Sequence, residues 1–244
     1  MNKVTYDAGT MTIEVYGLDG VAYMLGDLKS KTPAVVKTAV NATARKARKL
    51  MIAQASARYA VNAAGRRHLK DLKSRKKATN SSLSAELFVA SMRNDLSYFR
   101  TSPASPTHFT GAEWVRGPKV WKGKVLKASP MRKLPGAGNR SKAFLAEFHN
   151  RKADGTSSNH IGMVQRVIGS HSSRAKTQNG HDRWRNKQGD VEKLVTLGSP
   201  SITAMHHTIW PYVEPETSEY LQEQLFQQTE RVLARAKAKQ RLMP

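Results

Sequence analysis

The chain contains no cysteine. That excludes disulfide scaffolds, thiol nucleophiles and cysteine-ligated zinc, and it fits a protein made and used in a reducing cytoplasm. No run approaches the roughly 18–20 consecutive apolar residues that a membrane-spanning helix needs. Residues Met1 to Gly20 lack the basic start and apolar stretch of a secretory signal, and they carry Asp7 and Glu14. Acid is scarce: 18 Asp+Glu against 41 Lys+Arg leaves a formal charge of +23. A field of that sign favours nucleic acid, acidic proteins or anionic surfaces as partners. Aromatics are only 7 %, yet 39 % hydrophobic residues suffice for a modest core and argue against a disordered chain.

The charge is uneven. From Lys29 to Lys77 the only acidic residue is Asp71, whereas Glu214, Glu216, Glu219, Glu223 and Glu230 gather towards the C-terminus. One basic region and one acidic segment suit contacts with unlike neighbours or with further copies of the chain.

Hydrophobic spacing predicts the elements. Met11 to Tyr16 alternates and reads as a strand, and Val21 to Leu28 begins a short helix. Thr32-Pro33 has the chemistry of a helix start. Val36, Val40, Ala44, Ala47, Met51 and Ala55 then recur every three or four residues, one apolar face of a helix to about Tyr59. Arg66 to Lys77 reads as a short exposed helix or arm. Strands are expected at Leu83–Ala90, Asp95–Arg100, Val120–Lys127, Ala143–Phe148, His160–Ile168 and Glu192–Leu197. Loops rich in Pro, Ser and Gly cover Thr101–Thr110 and Ser129–Ser141. Gly169 to Asp190 is polar throughout and long for a compact-domain loop. Gly198-Ser-Pro-Ser201 stops a strand and starts a helix at Ile202, and a closing amphipathic helix runs from Pro215. The expectation is one α+β domain over 1–244, with long amphipathic helices packed on a mainly antiparallel sheet. It contains a basic helical region at 33–77, a polar loop insertion at 169–190 and a C-terminal helix at 215–241. There is no internal repeat.

Catalytic patterns are missing where they would be legible. His149, His160, His171 and His181 fit no compact metal-ligand spacing, and His206-His207 are helix neighbours whose rings point apart. Gly136-Ala-Gly138 lacks the strand–loop–helix setting of a phosphate cradle. The sequence designates no catalytic residue, metal ligand or cofactor, and the expectation is a protein that is not an enzyme. The basic residues remain. Arg45, Lys46, Arg48 and Lys49 on the long helix, with Arg66, Arg67, Lys70, Lys73, Arg75, Lys76 and Lys77 after it, are candidate contacts to phosphates or to a protein partner. Tyr59 and Trp184 beside basic residues read as core or loop anchors.

Two regions resemble the phage minor tail protein Z family. One is Ala39-Val-Asn-Ala-Thr-Ala44, followed by the Ala- and Arg-rich helix and the basic run through Lys77. The other is Ala143-Phe-Leu-Ala-Glu-Phe148, then Gly162-Met-Val-Gln-Arg-Val167, then Leu194-Val-Thr-Leu-Gly-Ser-Pro-Ser201. The likeness is one of order and spacing over about Lys37 to Arg235, with gaps. It selects Asn41, Phe144, Arg166, Gly198 and Pro200 as motif positions. Thr101–Arg140 and Gly169–Asp190 are longer than the family pattern, and Gly-Ser-Pro stands where Gly-Pro is commoner.

The resemblance implies a structural virion protein that completes the head-proximal end of a tail and joins it to the head or neck. It would be assembled in the host cytoplasm. Implied partners are further copies in a six-fold ring, and tail terminator, tail tube or head–neck connector proteins. Contact with DNA in the channel is a further implication, and membrane is not among the partners. A free, basic, non-specific nucleic-acid-binding accessory protein is the alternative.

Overall fold

The computed structural model describes residues 2–89, 95–106, 121–151, 157–170 and 192–241. They gather into two compact units, one of Met1–Ala57, His68–Met92 and Ser201–Pro244, the other of Arg58–Arg67 and Arg93–Pro200. Helices and antiparallel sheets make the class α+β, as the order of elements predicts.

In the first unit β1 (Asn2–Asp7) and β2 (Thr10–Val15) form a hairpin that the sequence reading only half recognised. Its two-residue turn puts Ala8 at φ 43° and Gly9 at φ 86°, the left-handed conformations that match the twist of the strands. With β3 (Leu72–Lys76) and β4 (Ser84–Val89) they build a four-stranded antiparallel sheet in the order β1-β2-β4-β3. Register places Val4 opposite Ile13 and Met11 opposite Leu87, so one face carries the apolar side chains, all of them buried.

The helices of this unit are α1 (Asp19–Leu25), α2 (Thr32–Arg58) and α4 (Ile202–Arg241), while α3 (Ala63–Leu69) spans the division between the units. On α2 the predicted stripe Val36, Val40, Ala44, Ala47, Met51 and Ala55 is buried. Thr32 does not cap this helix. A 3-10 turn over Gly26–Lys31 runs straight into it, Thr32 has helical backbone angles, and its buried hydroxyl has no hydrogen-bond partner.

Three expectations are corrected. The segment Arg66–Lys77 is not one exposed helix or arm: α3 ends at Leu69 and β3 begins at Leu72, so the basic region 33–77 closes in a strand. Buried Leu72 pairs with Val89, and a ladder to β4 satisfies backbone that a frayed helix would leave open. Asp95–Arg100 is not a strand but a 3-10 turn, Leu96–Tyr98, leading to β5 (Arg100–Ser102), because the Asp95 carboxylate accepts from Ser97 N and curls the chain. The C-terminal helix starts at Ile202 rather than 215 and continues through Pro211 and Pro215. Both prolines lie on the exposed side, so water can reach the carbonyls that lose a helical donor.

The second unit holds two three-stranded antiparallel sheets. One is ordered β10 (Leu194–Thr196), β9 (Ser157–Arg166), β8 (Phe144–Arg151); the other is β5, β6 (Lys122–Lys124), β7 (Arg132–Lys133). The short β7 lies inside the predicted loop Ser129–Ser141. Most of the polar insertion 169–190, and residues 107–110 of the predicted loop after β5, lie outside the described residues. Among the described residues no helix is long and apolar enough to cross a membrane.

Candidate interaction surfaces

The basic residues selected from the sequence are placed on surfaces, not around a pocket. All of them except half-buried Lys46 are exposed. On α2, Arg45 and Lys49 occupy the crest opposite the buried stripe. Lys46 and Arg48 lie about 200° apart on the helix and serve opposite flanks. Lys46 pairs with Glu216 of α4 at 2.8 Å, with its ammonium 5.7 Å from the Tyr220 ring centre. Hydrogen bonding to Glu216 raises the Lys46 pKa. Arg48 donates instead to the Lys70 carbonyl at 3.3 Å.

Asn41, one turn-pair before Arg48 on the same flank, clamps the other end of the basic segment. Its Nδ2 donates to the Ala78 carbonyl and its Oδ1 accepts from the Ala78 amide, both at 3.0 Å. A carboxamide has one donor and one acceptor side by side, which is what a single residue of exposed ladder requires. Aspartate or alanine would lose half or all of it. The motif asparagine thus holds the chain leaving β3 against α2.

Between these anchors, on the edge strand β3, register sets Lys73 opposite exposed Phe88 and Lys76 opposite Glu86, on the face away from buried Leu72, Leu87 and Val89, and Arg75 beside them is exposed. A register irregularity between Ser74 and Lys76 inserts Arg75 as an extra residue. Its guanidinium lies 5.8 Å from the ring centre of exposed Phe88. Lys76 sits across from Glu86 and donates to Ser84 Oγ at 2.9 Å, and Lys73 pairs with Asp71 at 3.3 Å. Charge and a bulge on an edge strand discourage random strand addition, so part of this cationic character serves the fold. Lys70 and Lys77 flank the strand and are exposed, while Arg66 and Arg67 on α3 belong to the second unit.

The acidic segment expected near the C-terminus becomes an opposing surface on α4. Tyr212, Glu216, Glu219, Glu223, Phe226 and Glu230 follow one another at three or four residues, so they form one stripe opposite the buried Val213, Thr217, Leu221 and Leu225. Tyr212 is 66 % and Phe226 58 % exposed. The three- and four-residue spacing of the glutamates carries the signal, whereas the exposure of the two aromatics among them is decided by packing.

The motif positions of the second unit have structural work. Phe144 and Arg166 come together across β8 and β9, the guanidinium 5.3 Å from the ring centre. Burial pulls the Arg166 pKa down, and the Glu192 carboxylate opposes that shift. Glu192 in turn accepts from Gly169 N at 3.3 Å, tying the end of the β9 segment to β10's approach. Gly162 is required: a Cβ there would come within 2.9 Å of the Phe148 ring and 3.0 Å of Asp95 Oδ2. Gly198 is not, since its φ is not left-handed and an added Cβ meets nothing within 4 Å. Exposed Pro200 ends the second unit, and Ser201 opens α4 by accepting from Ala204 N at 3.0 Å.

The histidine pair separates as helix geometry demands, His207 outwards and His206 inwards. His206 is fully buried, and neither ring nitrogen has a hydrogen-bond partner. Desolvation pushes its pKa down to about 4. Among the described residues no group of three or more His, Asp or Glu is placed to hold a metal. A further feature without a sequence signal is a groove of about 730 Å³ in the second unit, with Phe99 and Met131 on its wall and Arg100, Lys124 and Lys127 about it. No family model matches the chain, and neither a curated protein nor a solved structure is significantly similar to it.

Proposed function

We propose that this chain is a structural virion protein that completes the head-proximal end of a phage tail and joins it to the head or neck. It acts by binding its own copies and its axial neighbours, without catalysis or cofactor. The observation that carries the reading is the display of charge. Cations on α2 and β3 and carboxylates on α4 cover exposed faces of rigid elements. Extended faces suit lateral and axial protein contacts, whereas chemistry on a small substrate needs convergent groups in a concave site. The resemblance in motif order supplies the tail context, and the Asn41 clamp and the Phe144–Arg166 stack give three of its positions a physical reason to exist.

A second reading, a free basic nucleic-acid-binding accessory protein, draws on Phe88 set among Lys73, Arg75 and Lys76, since cations with an aromatic also suit nucleic acid. Electron microscopy of particles made without this protein separates the two. The tail reading expects filled heads and tails that do not join. Complete, infectious virions formed without the chain would overturn it.

A further inference from the structure

The first unit carries two faces of opposite charge on different elements. One is the stripe Tyr212, Glu216, Glu219, Glu223, Phe226 and Glu230 on α4, whose first turns pack on β1: Tyr6 stacks on Trp210 at 6.0 Å and donates to the Thr203 carbonyl at 3.3 Å. The other is the set Lys73, Arg75 and Lys76 around Phe88 on β3 and β4, and β3 is the edge of the sheet opposite β1. We propose that the α4 stripe of one copy docks on the β3 face of the next copy, forming a head-to-tail contact that propagates until it closes. This deepens the assembly reading by naming the contact within the ring, and depends on that reading only for where the ring sits.

Four observations converge on a second copy as the occupant. First, a chain of charge +23 repels its own copies unless carboxylates meet cations, and this stripe is the exposed acidic face on which glutamates concentrate. Second, Lys46–Glu216 at 2.8 Å and Lys73–Asp71 at 3.3 Å are the ion pairs on these two faces, which leaves Glu219 and Glu230 on one side and Arg75 on the other to meet a neighbouring copy. Third, the apolar content matches: Tyr212 and Phe226 protrude at 66 % and 58 % exposure, and Phe88 is 37 % exposed beneath Arg75. Aromatics ringed by matched charge are what a contact desolvates with most gain. Fourth, the chain already makes one such contact internally, where Lys46 pairs with Glu216 beside Tyr220. Because the two faces lie on different elements, each bound copy still offers one free face, the condition for a ring or filament.

The test is a charge exchange read by native mass spectrometry and light scattering at low salt. The acidic-face variant is Glu219→Lys/Glu223→Lys/Glu230→Lys, and the basic-face variant is Lys73→Glu/Arg75→Glu/Lys76→Glu. Each alone is expected to lose self-association by at least about a hundredfold, since like charges would face each other. An equimolar mixture is expected to assemble again, with the two variants alternating, and so is a chain carrying both sets. Should a reversed chain fail to fold by circular dichroism, Glu219→Gln/Glu223→Gln/Glu230→Gln keeps the side-chain shapes and carries the same expectation of weakened association. Four results would overturn the contact: a wild-type chain that stays monomeric, either variant keeping wild-type mass, a mixture that stays monomeric, or a basic-face variant that loses only affinity for duplex DNA. None of these touches the particle phenotype that tests the tail reading.

Discussion

In the first unit the core is a set of periodic apolar surfaces: Val36 to Ala55 on α2, Met205 to Leu225 on α4, and Val4, Met11, Ile13 and Leu87 on the inner face of the sheet. In the second unit the long pair β8 and β9 is accompanied by four strands of only two or three residues, and polar side chains hold the turns between them. Asp95 Oδ1 accepts from Ser97 N at 2.8 Å and from Met163 N at 3.0 Å, joining the 3-10 turn to β9. Asn62 donates to the Ser97 carbonyl at 2.5 Å and caps α3 by accepting from Gly65 N at 2.9 Å. Tyr59 to Val61 bridges to Leu126 on one side and to Phe99 on the other. The difference teaches where stability resides. Apolar burial is spread over many residues and resists small changes, whereas a polar clamp concentrates its effect in one side chain whose loss strands the groups it satisfied.

The largest effect is expected where a charge enters the periodic core. Met51 is fully buried, so Met51→Asp is expected to destabilise by on the order of 4–5 kcal/mol. A melting temperature like that of the wild type would show that the α2 stripe is not core.

The next effect is a pH dependence lodged in the same unit. His206 has its pKa lowered to about 4 by burial, while the unfolded chain titrates near the ordinary value of 6.5. The folded state therefore excludes a proton that the unfolded state binds. The neutral imidazole's contribution is whole above about pH 6.5, declines as pH falls, and is lost by about pH 4. Over that window the loss approaches about 3 kcal/mol. Urea titrations from pH 7 to pH 4 should show a smaller decline for His206→Leu than for the wild type. Parallel declines would place the imidazole in contact with water.

The smallest of the three sharpens the other side of the comparison. Asp95→Ala removes the acceptor of two backbone amides and is expected to cost about 2–3 kcal/mol, with Asp95→Asn costing less because the amide oxygen can still accept. Amide exchange at Ser97 and Met163 should rise by the corresponding factor. Unchanged protection there would mean that backbone pairing alone holds the turn.

How much was legible follows the same division. The apolar face of α2 could be read residue by residue, because a 3.6-residue period is local information. Lys73 to Lys76 could not be assigned to a strand, since nothing in a run of cations distinguishes a frayed arm from an edge strand. Leu72 pairing with Val89 decided that, and the pairing partner is remote in sequence. The bend at Asp95 was missed for a related reason: an apolar-rich run reads as a strand until the carboxylate is seen to bond Ser97 N and Met163 N. At the candidate surfaces the cations were visible as a list. Their division between Lys46 turned to α4, Arg48 turned to Lys70, and the exposed set on β3 was not.

By itself, then, the sequence determined the sign of the charge, the absence of thiol chemistry, the α2 core stripe and the α+β class, all of which depend on composition or on neighbours a few residues apart. Tertiary structure alone decided that α4 runs unbroken through two prolines, because only packing shows that their side faces water. It alone decided that His206 lies in the core, and that Asn41 spends both ends of its amide on Ala78. These depend on which residues distant in the chain come to share a surface, and no local period carries that information.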